Sequence, residues 1–283
     1  MTIAPWAVAA LLFAGFAHAC WNAVLKSSGS RLMTITTIMA VGGICFVPFM
    51  ILLPPPAPAS WPFLAASVVL HCFYYAALIW AYRHGDLSSA YPVARGSAPV
   101  LVGLGAALFA DQIPTSLAAT GVVMASIGIS MVAFEKGWPR GDKFKPFATA
   151  FLVSLTIGSY TVVDGIGLRR TPGALPYIAW LFVIDAIPLL VYVAVTKRSA
   201  YVDHLRRFWK LEAVGGILSA LAYALVLYIL AFSGMAQVSA LRETSVLFAV
   251  AIGAFRLKEK FGVFRWTAAL IVTAGVIVMQ LGG

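Results

Sequence analysis

The chain has 283 residues, 61% apolar and only 11% charged, with a net charge of +10. Soluble domains carry about 25% charged residues, and a mean hydropathy of +0.93 over the whole length excludes a water-soluble domain of any size. This is the composition of a polytopic membrane protein.

Apolar runs of about 17–25 residues are long enough to cross a bilayer as helices. Ten such runs follow one another, at roughly 4–25, 33–53, 62–82, 88–109, 115–134, 146–168, 174–195, 211–232, 236–255 and 265–281. No connector exceeds about fifteen residues, so function is expected inside the bundle. The first run contains "AHAC" at 17–20, which looks like a signal cleavage site. No basic residue precedes it, as a signal peptide requires, so the run is expected to be retained. The same run places His18, Trp21 and Asn22 on one side. Asn22 is a hydrogen-bonding candidate, toward a solute or toward a neighbouring helix.

The third run sets His71, Tyr74, Tyr75, Leu78 and Tyr82 within one broad helical face. Such a stripe lines a cavity or simply packs. The fourth opens with "HGDLSSAYPVARGSAPVLVG" (84–103), which combines Tyr91, Pro92, Arg95 and Pro99. Each proline removes a helix hydrogen bond, and near a cavity the freed carbonyls are open to water or solute. A charge inside the bilayer costs about 3 kcal/mol on insertion scales and marks a functional position by default. The sixth run contains Asp164 beside Tyr160 and Thr161, a candidate for ion coupling. In the seventh, Asp185 precedes Pro188, where it suits the cap of a broken segment. The ninth holds Arg242 and Glu243. Arg242 is read as snorkelling or pairing locally.

Of the twenty Lys and Arg, sixteen lie in odd-numbered connectors and two, Arg169 and Arg170, in even-numbered ones. The positive-inside rule then places the odd connectors in the cytoplasm and both termini outside. The basic excess reads as topology and attraction to lipid head groups, not as nucleic-acid binding. Cys20, Cys45 and Cys72 all fall in apolar runs, where small buried hydrophobes are expected and no disulfide framework is implied.

A shift of 148 residues lays "GSAPVLVGLGAALFADQI" (96–113) over "TSVLFAVAIGAFRLKEKF" (244–261). Asp111 meets Glu259, Gly105 meets Gly253, Tyr75 meets Tyr223 and Arg95 meets Glu243. Each half has five runs, an odd number, so two direct repeats enter the membrane in opposite senses. Inverted repeats are a transporter signature, with the solute site near the midplane where the halves meet. The expected organisation is a first five-helix repeat over 1–134, a basic cytoplasmic linker over 135–145 and a second repeat over 146–283. The fold class is an all-α polytopic membrane protein of ten transmembrane helices in two inverted repeats.

"GDLSSAYPVARGSAPVLV" and "SALRETSVLFAVAIGAFRLKEKF" resemble the EamA-type branch of the drug/metabolite transporter superfamily. Asp111 and Glu259 stand at that family's "LGE" position, although the second motif here reads "LKE". "HACWNAVLK" is similar to a subset linked to phosphonate-utilisation gene clusters. The resemblance implies a basket-like bundle whose central cavity is lined mainly by helices 1, 3, 4, 6, 8 and 9. Pro99 has no partner proline in helix nine, where Leu247 stands. The smaller four-helix relatives use an acid in their first helix. This chain has none there, so their antiport mechanism does not transfer.

Arg95 and Glu243 lie equally far into oppositely directed helices and are expected to differ in depth by about 10 Å. Either they grip opposite charges of a solute, or they form a structural ion pair between the halves. The functional expectation is a secondary transporter of a small polar or amphiphilic solute, an amino-acid-like zwitterion foremost, working by alternating access in the inner membrane. The alternatives are a carrier of an anionic organophosphorus solute and an intramembrane scramblase or enzyme. The candidate binding residues are Arg95, Glu243, Tyr75, Tyr223, Tyr91, Asn22, Trp21, His71 and Tyr74, with Glu243 and Asp164 as coupling candidates. No P-loop, GxSxG or HExxH motif occurs in the chain. No cofactor, metal or nucleic-acid partner is expected. The partners are the solute and membrane lipids, and the chain is expected as a monomer or homodimer.

Overall fold

With no water to bond the backbone inside a bilayer, an apolar chain satisfies its amides within helices. The computed structural model describes residues 3–27, 29–84, 87–134, 144–248, 251 and 262–282. Among these residues there are ten α-helices and no strand. They are α1 (Pro5–Ser27), α2 (Arg31–Leu52), α3 (Trp61–His84), α4 (Leu87–Phe109), α5 (Ser116–Met131), α6 (Phe144–Leu168), α7 (Leu175–Thr196), α8 (Arg198–Leu230), α9 (Met235–Glu243) and α10 (Val263–Leu281). Single 3₁₀ turns precede α3 and follow α5.

Seven of the helices (α1, α2, α3, α6, α7, α8 and α10) are long and apolar enough to span a bilayer. α4 and α5 contribute shorter apolar stretches. Large apolar side chains such as Ile51, Phe73, Leu108 and Leu270 stand exposed on the outside of the bundle, where in a membrane they meet lipid. The chain is a multi-pass membrane protein.

One end of the bundle is tied together by a continuous series of hydrogen bonds. The N–H of Ala57 donates to Thr171 (3.0 Å). Arg169 donates to the Ser233 carbonyl (2.6 Å), and the N–H of Met235 donates to Gln112 (3.2 Å). Thr115 bonds the Gly282 carbonyl, and Gln280 accepts from the N–H of Ile3 (3.1 Å). These contacts join the connectors α2–α3, α6–α7, α8–α9 and α4–α5 to the two ends of the chain. At the opposite end, α2 meets the start of α8 through Thr34–His204 (3.4 Å) and Thr37–Tyr201 (3.3 Å).

The principal helix pairings are α5 with α10, α2 with α7, α4 with α6, α1 with α8, and α3 with α6, and α4 also packs on α9. Small residues set the α5–α10 seam. A Cβ on Gly275 would lie 2.6 Å from the Ala125 nitrogen and 2.8 Å from the Gly121 carbonyl oxygen, so the two backbones touch, as membrane helices do at glycine pairs.

The core has two apolar layers. One includes Leu11, Leu64, Val68, Val102, Tyr177, Leu227 and Met235. The other includes Leu25, Ile35, Ile38, Leu78, Ala94, Ala98, Val153 and Ile157. Along α1 and α3, His18 and His71 fall between the residues of these two layers.

Two helices differ from their sequence-based bounds. α8, expected from about residue 211 on hydropathy, starts at Arg198. Residues 198–210 contain no glycine or proline, and a helix needs neither apolarity nor length beyond what its neighbours support. α9, expected to run from about 236 to 255, stops at Glu243. The Thr244 hydroxyl turns back to the Leu241 carbonyl (2.6 Å), as threonine does when it competes with the helix ladder. The chain is helical again over 245–248. The "LKE" position of Glu259 lies outside the described residues. Its counterpart Asp111 ends α4 with a left-handed φ of 51°.

Candidate functional site

Between the two apolar layers lies a cavity of about 70 Å³, lined from α1, α2, α3, α4, α6, α7, α8 and α9. At about 10–15 Å³ per water on this measure, it holds roughly five waters.

One wall is cationic. Arg95 of α4 and Arg242 of α9 both line the cavity, and both converge on Glu243. The Arg95 Nε stands 2.9 Å from Glu243 Oε2. Arg242 places Nη2 2.9 Å and Nε 3.0 Å from Glu243 Oε1. Glu243 is fully buried (0% exposed) and does not line the cavity, so it holds the two guanidiniums from behind. Two cations and one anion leave a net positive charge on this wall. Proline at 99 also removes the N–H that would bond the Arg95 carbonyl in a regular helix.

His18 of α1 sits against this cluster, its Nε2 contacting Arg95 and its Nδ1 facing Trp21 Nε1 at 3.1 Å. Arginine and tryptophan only donate. A neutral imidazole therefore satisfies one of them, and an imidazolium neither.

The opposite wall is acidic. Asp185 of α7 lines the cavity and accepts from the Tyr75 hydroxyl at 2.6 Å on Oδ2. His71 Nδ1 stands 3.5 Å from its Oδ1. His71 and Asp185 are both buried. Between the walls lie the rings of Trp21, Tyr74, Tyr75, Tyr160, Phe182 and Tyr223. Tyr160 packs 4.3 Å from His71 between ring centres, and Arg242 lies 5.9 Å from the centre of the Tyr160 ring.

The structure thus gathers Arg95, Tyr75, Tyr223, Trp21, His71 and Tyr74 around one cavity. Asn22 is not there: its amide donates to the His18 carbonyl of its own helix (2.9 Å). Asp164 lies behind Tyr223, accepting from the Tyr177 hydroxyl at 2.9 Å and the Tyr223 hydroxyl at 2.6 Å. The side chain of Tyr91 lies outside the described residues. The side chains of Arg95 and Glu243 meet directly across the two halves.

Three cavity residues had a weaker place in the sequence reading. His18 was noted only beside Trp21 and Asn22. Asp185 was assigned to a helix cap, yet α7 runs unbroken through Pro188 and the carboxylate turns to the cavity. Arg242 pairs locally as expected, but it also lines the cavity. The available signal for Asp185 was a lone carboxylate within a 22-residue apolar helix.

Comparisons with known proteins bear on the fold and the family. Residues 145–281 match the sequence model of the EamA-like transporter family. A solved crystal structure, titled only as that of a protein, superposes over 96% of this chain and 96% of its own, with a TM-score of 0.71 and 15% identity. At that identity the likeness is one of fold. No curated protein sequence matches. Through residues 145–281, the second half of the chain, the protein is similar to the EamA-like transporter family.

Proposed function

We propose that the protein is a secondary transporter that carries a small zwitterionic solute across the inner membrane by alternating access. The similarity of residues 145–281 to the EamA-like transporter family supports a membrane transporter of small solutes. The observation that carries the finer reading is the polarity of the cavity. Arg95 and Arg242 stand on one wall and Asp185 on the other, with aromatic rings between. A carboxylate suits the first wall as a charge-assisted hydrogen-bond partner. An ammonium suits the second, and also the tyrosine faces nearby. In this reading the solute's cation meets Asp185. Glu243 is instead a positioning residue that fixes the two arginines.

Ten crossings in two inverted halves belong to the same reading. Exchanging each helix of the first half for its counterpart maps α1–α8 onto α6–α3, and leaves α2–α7, α4–α9 and α5–α10 unchanged. These are pairings the bundle makes, which supports the inverted arrangement. The apolar layers on both sides of the cavity are the natural gates. Opening one at a time is what alternating access requires.

The test is counterflow in proteoliposomes with three matched probes: L-leucine, its amine isopentylamine and its acid 4-methylpentanoate. Leucine is expected to exchange at least tenfold faster than either single-charge analogue. Exchange of 4-methylpentanoate alone would favour an anion carrier, to which the excess charge of the arginine wall is suited. No exchange of any probe would refute the reading.

A further inference from the structure

The polarity of the cavity leaves one acidic group with two possible cations. Asp185 is the carboxylate of the acidic wall, and His71 faces it from α3 at 3.5 Å. Both line the cavity. Tyr75 already donates to the other carboxylate oxygen, so the edge of Asp185 turned to His71 is the one open to a second partner. When His71 is protonated it is the cation that pairs with this edge. A solute ammonium entering the cavity would need the same edge.

We infer that His71 and Asp185 form the proton-binding site of the carrier, where one proton and the solute's cationic group compete for Asp185. This rests on the zwitterion reading above. The consequence is an obligatory exchange. The solute binds as the proton leaves His71 to the water of the cavity, and rebinding of a proton expels the solute. Charge balances, since one cation replaces another beside the same carboxylate.

The surroundings isolate this pair from the other charges. α6 contributes the Tyr160 ring against His71, and Asp164, which acts on His71 electrostatically but is held by Tyr177 and Tyr223. α9 contributes Arg242, held by Glu243. α8 contributes Tyr223, 5.7 Å from His71 between ring centres. α3 itself contributes Tyr75 and Cys72, and α2 contributes the Met39 thioether, 2.9 Å from the Tyr75 hydroxyl. Among the described residues Asp185 is the one carboxylate lining the cavity, and His71 is the titratable base facing it at 3.5 Å.

The experiment uses the full chain in proteoliposomes containing a trapped pH dye. Net efflux of L-leucine from loaded vesicles into leucine-free medium and the accompanying proton uptake are recorded together, for the wild type and for His71→Gln. The wild type is expected to move close to one proton against each leucine, and its apparent leucine affinity is expected to weaken, by up to tenfold per pH unit, as the medium is made more acid. His71→Gln is expected to lose at least nine-tenths of the protons moved per leucine, at whatever rate it releases leucine, and to lose the pH dependence.

Net leucine flux without proton movement in the wild type overturns the inference and leaves the zwitterion reading standing. So does an unchanged proton ratio in His71→Gln. If His71→Gln moves no leucine, proton release on leucine binding is read by calorimetry in buffers of different ionisation heat. Binding without release supports the site, whereas no binding makes His71 part of the solute grip and overturns its separate proton role. If the wild type exchanges none of the three probes, the zwitterion reading itself fails and this inference falls with it.

Discussion

Glu243 is the residue on which the cationic wall depends. It is the carboxylate shared by Arg95 and Arg242, and all three side chains are buried. Removing one member of a buried ion pair strands its partners and costs about 3–5 kcal/mol. Glu243→Gln is expected to lower the unfolding temperature sharply in detergent, and an unchanged melting curve would contradict the triad. A swap, Arg95→Glu with Glu243→Arg, restores opposite charges across the pair but reverses the sign of the wall at position 95. It is expected to recover stability and to remain inactive in transport; full transport by the swapped protein would refute the assignment of Arg95 to the cavity. At the acidic wall, Tyr75→Phe removes a donor to a buried carboxylate. Bonds of that kind are worth about 1.5–3 kcal/mol, and a stability loss of that order, measured by thermal unfolding, is expected. Arg95 was legible in the sequence because a charge inside an apolar run has few innocent explanations. Its contact with Glu243 was one of two alternatives the sequence left open, and the structure makes that pair at 2.9 Å.

At the scale of the helix, the sequence read spans well and joints poorly. Hydropathy placed a run on each of the ten described helices, seven of them long and apolar enough to cross a bilayer, but it missed residues 198–210 at the start of α8, where charged and apolar residues mix. Amphipathic helix is invisible to a scale that counts only apolarity. It also carried α9 past its break, because Thr244 is an ordinary residue in an apolar run and its turn-back to Leu241 is a matter of geometry. The α5–α10 seam lies on the side of the bundle away from the cavity, and none of its contact residues lines the cavity. Gly275→Val would place atoms within 2.6–2.8 Å of the α5 backbone. Overpacking typically costs about 1–3 kcal/mol. The variant is expected to reduce the folded fraction in the membrane while leaving solute affinity per folded molecule intact. A change in affinity without a change in yield would mean that the seam communicates with the cavity.

At the scale of the molecule, the even-numbered connectors and both chain ends gather at one end, and the charge distribution assigns that end to the outside. A C-terminal alkaline phosphatase fusion is expected to be active, and the reverse would invert the orientation while keeping the bundle. The repeat at 148 residues foretold that Tyr75 and Tyr223 share one cavity. It did not foretell Asp185, because helices 1 and 2 align with helices 6 and 7 by pattern alone and give that residue no partner. The central claim is that the two walls of the cavity read the two charges of one solute. It is tested most directly by the ratio of L-leucine to 4-methylpentanoate exchange in Asp185→Asn. The wild type should favour leucine by at least tenfold. Asp185→Asn should bring the ratio close to one, because the ammonium has lost its carboxylate while the arginine wall is intact. A ratio unchanged from wild type would show that Asp185 does not receive the solute's cation and would contradict the account.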